Sequence, residues 1–358
     1  MSQIFTPVRV GRYNLSNRLV MAPMTRSRAG DGDGVIAGYV ADYYGQRSGA
    51  GLIISEGVYP SASGKGYVST PGIETDAQIE AWKKVTDAVH AKGSRIFMQV
   101  MHCGRISHPS MQPDNALPVA PSAIKPAGQT WTATGQQEFV TPHALTVPEI
   151  QGVIADYRAA TRRALAAGFD GVELHAASGY LPEQFLSNGS NNRTDEYGGP
   201  IRNRVRFVLE VLTAMVDEAG NDRVGIKISP EMNFNDVVDD NPQALYWELV
   251  EELNQFDLAY LHLTRQGTPE MDYHALLRPR FKGPYLMGAG LTKDTAEAAV
   301  LAGKADAVVF GELFLANPDL PERFQQASEL NEPDRSTYYG GDGKGYTDYP
   351  TLKVAEPG

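Results

Sequence analysis

The chain has 358 residues, 42% hydrophobic and 21% charged, a balance that fits a soluble globular protein and excludes a disordered or membrane-embedded one. A formal charge of -11 argues against nucleic-acid partners and anionic membrane surfaces, since both select for a basic face. The single cysteine, Cys103, excludes an internal disulfide and any cysteine-built metal centre; with no apolar run near a bilayer's length and no apolar core in the opening MSQIFTPVRV, a cytoplasmic setting is expected.

In chain order, Pro7 to Ser16 reads as a short hairpin that would close the bottom of a barrel. Apolar runs that fit buried strands follow at Arg18 to Pro23, Leu52 to Gly57, Arg95 to Val100 and Gly171 to Ala176. Four more lie at Val224 to Ser229, Leu258 to Leu263, Pro284 to Gly290 and Ala307 to Gly311. Several are continuous rather than alternating, the mark of strands covered on both faces as in a parallel sheet. After the third run, Gln129 to Pro142 alternates around Thr134 and Gly135 and reads as a second hairpin, over the barrel's top.

Helical spacing fills the gaps. Ile79, Trp82, Val85 and Val89 fall three or four apart within Asp76 to Gly93, and Gly93 stands where a helix would end. Pro148 to Gly168 aligns Ile150, Ile154, Tyr157 and Leu165 near one stripe. Ile201 to Gly220, Pro242 to Gln255 and Thr292 to Gly303 repeat the pattern, with Thr292 as an N-cap. The alternation predicts an α/β chain folded as a single (β/α)8 TIM barrel, one domain over residues 1–358. A doubly wound sheet would show a glycine-rich turn after its first strand, and MTRSRAGDG is not one.

In such a barrel, chemistry sits at the C-terminal ends of the strands. The residues there are Met24 and Thr25; Glu56 and Gly57; Gln99, Met101 and His102; His175, Ser178 and Tyr180; Lys227; Ala289 and Gly290; Gly311 and Glu312. His102 and His175 lack further ligands at fixed spacing, so no metal is expected. Ser178, in AASGY, lacks the nucleophile-elbow pattern. Lys227 leaves a Schiff-base aldolase open. Gly288, Gly290 and Gly311 read either as tight turns or as a main-chain phosphate site.

Several segments carry a stronger signal: NRLVMAPMTR (Asn17 to Arg26), YYGQRSGAGLIISEG (Tyr43 to Gly57), GRISHPS (Gly104 to Ser110) and GFDGVELHAASGYLPEQFLS (Gly168 to Ser187). NRTDEYGGPIRNRVRFVLEV (Asn192 to Val211), LANPDLP (Leu315 to Pro321) and GYTDYP (Gly345 to Pro350) complete the series. In this order they resemble the old yellow enzyme family of FMN-dependent ene reductases. The resemblance implies FMN across the barrel top, with Pro23, Met24, Thr25, Gly57 and Gln99 around its ring. It implies reduction of the flavin by NADPH or NADH, followed by reduction of an alkene conjugated to a carbonyl or nitro group. His175 would polarise the substrate oxygen and Tyr180 would protonate the α carbon.

The chain departs from the family pattern at four places. Ser178 replaces the usual histidine or asparagine as second oxyanion donor and reaches less far. Met101 replaces a tryptophan, which enlarges and softens the pocket. Lys227 replaces an arginine beside the ring, keeping the charge without the fork. Glu312 replaces a cation near the phosphate, so either it turns away and the backbone of Ala289, Gly290 and Gly311 holds the anion, or flavin binding is weakened.

Tyr67, Asn235, Tyr273 and Tyr339 are candidate substrate-pocket walls. Cys103 is expected to be inert packing, and Arg193 and Arg204 to hold the loop after the fourth strand. The alternatives left open are a barrel with weakened or lost flavin doing isomerisation or proton transfer with Tyr180, His175 and Lys227, and a non-catalytic homologue. A monomer or homodimer acting on a small molecule is expected.

Overall fold

The computed structural model describes residues 2–265 and 271–352. The N-terminal hairpin pairs β1 (Val8–Val10) with β2 (Tyr13–Leu15). β3 (Leu19–Met21), β4 (Leu52–Val58) and β5 (Arg95–Val100) follow. The excursion after β5 carries β6 (Val119–Ala120), the antiparallel hairpin of β7 (Gln129–Thr132) and β8 (Gly135–Glu138), and β9 (His143–Ala144), which pairs in parallel with β6. β10 (Gly171–Ala176), β11 (Val224–Ile228), β12 (Tyr260–Leu263), β13 (Tyr285–Gly288) and β14 (Ala307–Phe310) complete the set. Eight of these strands close a parallel barrel in the order β10-β11-β12-β13-β14-β3-β4-β5. The expected strands and both hairpins are therefore present; the strand ends differ by at most two residues, while the second hairpin, expected to run to Pro142, ends at Glu138.

The longer helices match their predicted positions: α2 (Asp76–His90), α3 (Val147–Ala166), α7 (Pro242–Leu253) and α9 (Lys293–Leu301), while α1 (Val40–Gln46) precedes them. Capping boxes start three of them, through Thr75 with Gln78, Thr146 with Glu149 and Thr292 with Thr295. Each such cap is worth about 1 kcal/mol. The single helix expected from Ile201 is instead α5 (Ile201–Arg204) followed by α6 (Arg206–Ala219). Short helices that periodicity does not reveal are α4 (Leu181–Leu186), α8 (Tyr273–Leu277), α10 (Glu312–Ala316) and α11 (Leu320–Gln326).

Alternation along the strands makes two cores. Outward residues such as Ile96, Met98, Val172, Leu174 and Ile226 pack with Trp82, Val85 and Tyr157 of the helical layer. Inward residues Val20, Leu52, Ile54, Phe97, Tyr260, Leu286 and Val309 form a second cluster, joined by Val10 and Leu15 of the hairpin, which plugs the bottom. Farther along the same strands the inward positions turn polar, at Gln99, Glu173, His175, Lys227 and His262.

A C-terminal segment is strapped to the barrel near the end of β3. Arg26 donates to the carbonyls of Tyr338 (2.9 Å) and Gly345 (2.9 Å), Arg28 to that of Asp342 (2.9 Å), and fully buried Arg47 to those of Phe314 (2.9 Å) and Tyr346 (3.2 Å). The Tyr346 ring stacks on Tyr43 at 3.9 Å, with the guanidinium groups of Arg26 and Arg28 at 4.9 and 4.3 Å from its centre. Tyr346→Ala is expected to cost about 3–5 kcal/mol, as large aromatic truncations in cores do. Its hydroxyl is buried with no partner among the described residues, so Tyr346→Phe should change stability by less than about 0.5 kcal/mol or raise it. Urea unfolding of both variants checks the pair.

Candidate active site

The site is built where β10 ends. His175 faces into the barrel, in register with Lys227 of β11, which is in turn in register with His262 of β12. Five residues on, Tyr180 is the N-cap of α4. The chain turns between them so that the imidazole and phenol rings meet edge to face, with centroids 5.0 Å apart and planes at 81°. The Tyr180 hydroxyl lies 3.0 Å from that of Tyr67. Asn235, on the loop after β11, donates to the Ser178 carbonyl at 2.8 Å.

Burial fixes the protonation states. His175 is 5% exposed, and its Nδ1 is buried with no partner among the described residues. Desolvation, then the nearby charge of Lys227 and the imidazole of His262, hold its pKa well below the ordinary value, so the ring is neutral. Desolvation raises the Tyr180 phenol well above its usual range, and Tyr67 adds to the rise. A neutral donor thus stands beside a phenol that keeps its proton.

Around this pair lies the open end of the barrel. Pro23, Met24 and Thr25 are half-buried at the end of β3. Gly311 lies against them: a Cβ there would stand 3.5 Å from the Met24 sulfur. A Cβ on Gly57 would come within 2.6 Å of the Met101 sulfur, so this glycine makes room for Met101. Met101 packs in one small cluster with Cys103, Ile106, Phe139, Tyr180 and Tyr67. Gln99 donates to Glu173 at 2.8 Å, and the other Glu173 oxygen lies 3.0 Å from His262 Nδ1. Lys227 is half-buried above this carboxylate layer; burial lowers its pKa, and Glu173 opposes the change.

The residues expected near a phosphate are also placed. Ala289 and Gly290 take φ of +72° and +69° in succession and are exposed. Glu312, 51% exposed, accepts from the Tyr338 hydroxyl at 2.8 Å and lies 3.6 Å from Arg335. Of the two arrangements left open by the sequence, the carboxylate takes the one that turns to the C-terminal segment, where a donor and a cation offset its charge. The expectation of Glu312 beside the phosphate is corrected accordingly.

Tyr273 also needs correction. It is 1% exposed in α8 and packs edge-on to Tyr246 within the outer core, because its helix lies against α7. Tyr339 is 70% exposed, close enough to Tyr67 to raise the Tyr67 pKa. Cys103 is buried and its thiol pushed up by desolvation. Arg193 donates to the Pro121 carbonyl at 2.8 Å and to Asp195, while Arg204 pairs with Asp239 at 2.5 Å; both brace the loop after β10. Among the described residues no cluster of three or more His, Cys, Asp or Glu could hold a metal, and no helix is long and apolar enough to cross a membrane.

Sequence reasoning did not assign roles to Glu56, Glu173, Glu183 or His262. Glu56 accepts the Arg26 N–H at 3.3 Å beneath the Pro23 to Thr25 stretch. Glu183 is a buried acceptor on α4, and Glu173 and His262 form the interior pair above. An ionisable residue inside an apolar run, as in GVELHA and LAYLHL, was the available signal for the last two.

The model of the NADH:flavin oxidoreductase / NADH oxidase family matches residues 3–331. The chain is 43% identical over 361 residues to 12-oxophytodienoate reductase 2 of Arabidopsis thaliana, an alignment covering 98% of this chain and 96% of that protein. Among solved structures, morphinone reductase in complex with tetrahydroNAD superposes with a TM-score of 0.93 at 48% identity, covering 99% of each chain. The old yellow enzyme homologue from Zymomonas mobilis gives a TM-score of 0.95 at 39% identity, over 98% of this chain and 100% of that one.

Burial pushes the carboxyl groups of Glu56 and Glu183 up to about 7 from 4.5. Between these values the folded protein binds more protons than the unfolded chain, so their contribution to stability falls as pH rises through the window and is constant above it. Melting temperatures from pH 4.5 to 8 should show Glu56→Gln and Glu183→Gln gaining on the wild type as pH rises. Parallel curves would contradict the assignment.

Proposed function

The chain belongs to the NADH:flavin oxidoreductase / NADH oxidase family, and on that premise we propose that it is an FMN-dependent ene reductase. Its substrates are alkenes activated by a conjugated carbonyl or nitro group, and its reductant is NADPH or NADH. The observation that carries this reading is the neutral His175 edge to face with protonated Tyr180 at 5.0 Å, just past the end of β10.

The residues present fit the cofactor. Pro23, Met24, Thr25, Gly57, Gln99 and Lys227 would hold the ring, and the bare, left-handed backbone at Ala289 and Gly290, with Gly311 beside it, suits a phosphate. His175 Nδ1, buried and with no partner among the described residues, is the kind of orphan that a bound group satisfies. FMN reduced by the nicotinamide nucleotide supplies the hydride.

The rest of the chemistry belongs to the chain. His175 donates to the substrate oxygen, where negative charge gathers as the β carbon takes the hydride; a neutral imidazole does so without giving up its proton. Ser178 offers a second donor: its hydroxyl points to the Met232 sulfur at 3.7 Å, a weak acceptor that it can leave for a carbonyl oxygen. Tyr180 gives the α carbon its proton, and Tyr67, half-buried at 3.0 Å, leads the replacement in from solvent. Lys227 places positive charge beside the interior carboxylate layer, where the ring's electron-rich edge would lie. No isomerase stands among the relatives described above, and residues 1–358 would act as one FMN-binding domain, working in the cytoplasm as a monomer or homodimer.

The purified protein should be yellow, with flavin absorbance that survives gel filtration; a colourless protein after addition of FMN would refute the reading. In single-turnover experiments Tyr180→Phe should slow alkene reduction about 100-fold or more while changing flavin reduction by NAD(P)H less than about twofold. His175→Ala should lower kcat/KM for an enone by about 100- to 1,000-fold. Equal losses in both half-reactions for Tyr180→Phe would remove it as the proton donor.

A further inference from the structure

The loop that carries the donors passes through two successive left-handed residues, Ser178 at φ +58° and Gly179 at φ +75°. Any Cβ on Gly179 would meet the Phe234 carbonyl oxygen at 2.6 Å and the Asn235 side chain at 2.7 Å. Ser178 does carry a side chain in this costly region, and such conformations persist only where the surroundings over-determine them.

Glu183 supplies that determination. Its carboxylate, 4% exposed, accepts the Gly179 N–H at 2.6 Å and the Tyr246 hydroxyl at 2.5 Å. It also accepts the Ser229 hydroxyl at 3.4 Å, whose oxygen takes the Ser178 N–H at 2.7 Å. Both amides of the strained pair therefore end on one buried carboxylate, directly or through one hydroxyl. Tyr246 anchors that carboxylate to α7 and Ser229 to the end of β11.

We propose that Glu183 is a positioning residue for alkene reduction, fixing the backbone of Ser178 so that its hydroxyl reaches the substrate oxygen beside His175. The assignment rests on the function proposed above. A serine has one rotatable bond before its oxygen and little reach, so the position of its Cα decides whether it donates.

The groups facing Glu183 are Tyr246 from α7, Ser229 from β11 and Gly179 from the loop; Asp239 and Tyr273 lie behind Tyr246, and Asp239 is paired with Arg204. None of the groups that set its ionisation is a cation, and burial pushes the carboxyl up to about 7. Above that value the carboxylate accepts all its donors. Below it, the added proton occupies one lone pair and requires Tyr246 or Ser229 to accept, which weakens the hold on the loop.

The test uses the flavin-loaded full chain with 2-cyclohexenone. In Glu183→Gln the KM for the enone should rise about tenfold with kcat changed less than about threefold, the loss of one charge-assisted bond. The wild-type kcat/KM should fall on the acid side of an inflection near pH 7, matching the Glu183 carboxyl, and Glu183→Gln should lack it. Glu183→Asp should recover part of the loss, and Ser229→Ala, which cuts only the Ser178 arm, should raise KM without removing the inflection. Amide exchange at Ser178 and Gly179 should quicken about tenfold in Glu183→Gln. Wild-type KM together with unchanged exchange in that variant overturns the proposal. A wild type that reduces no enone overturns the proposed function instead, and exchange then decides on Glu183 alone.

Discussion

The open end of this barrel depends on a change in the character of its inward-facing positions. Near the bottom they are Val20, Leu52, Phe97, Tyr260 and Leu286, sealed by Val10 and Leu15. One or two inward positions farther along, they are Gln99, Glu173, Lys227 and His262, and Glu173 is fully buried. A carboxylate there is tolerable only with committed partners, and it has them in the Gln99 amide and the His262 ring. The apolar plug excludes water from below, so the polar layer has low-dielectric walls and its charges act at short range. His175 stands at the upper edge of that layer, which is why burial and Lys227 together keep its imidazole neutral.

The strands were legible because a barrel covered on both faces writes each one as a nearly continuous apolar run. The long helices were legible from their stripe and caps. Those of four to seven residues, such as α1, α8 and α10, are too short to show a period and are placed by packing. Ring pairs and charge partners joined across the chain were harder still. Glu312 meets Tyr338, 26 positions away, and no local pattern discloses that pairing. Tyr273 went the other way: an aromatic in the loop region after β12 looks like a pocket wall until its helix turns the ring into the core. Glu183 was within the quoted motif yet had no visible role, since its partners Gly179, Ser229 and Tyr246 come from three separate segments.

The C-terminal segment serves both stability and the site. Arg26, Arg28 and Arg47 bind its carbonyls, and the same segment brings Tyr338 and Arg335 to Glu312 and leaves Tyr339 exposed at the rim. Because Arg26 directly follows Thr25, and its N–H is fixed by Glu56, the strap and the floor of the site share one stretch of backbone. Movement of the strap is therefore coupled to the residues that end β3.

Measured against the family pattern that the resemblance implies, Ser178 and Met101 would act in opposite directions on a bound guest. A thioether in place of an indole gives up bulk and stiffness, and Gly57 lets it settle into contact with the wall instead of projecting outward. A hydroxyl in place of a longer donor gives up reach. A wider pocket with a shorter donor would hold a guest loosely unless something else set its orientation. The backbone does so here: Gly179 has no Cβ to collide with Phe234, Asn235 holds the Ser178 carbonyl, and Glu183 and Ser229 hold the two amides. On the proposed role of Ser178, fixing the peptide on both sides converts lost side-chain length into a defined donor position, so the rigidity of this loop, more than the identity of the residue at its tip, would govern how tightly a substrate oxygen is gripped.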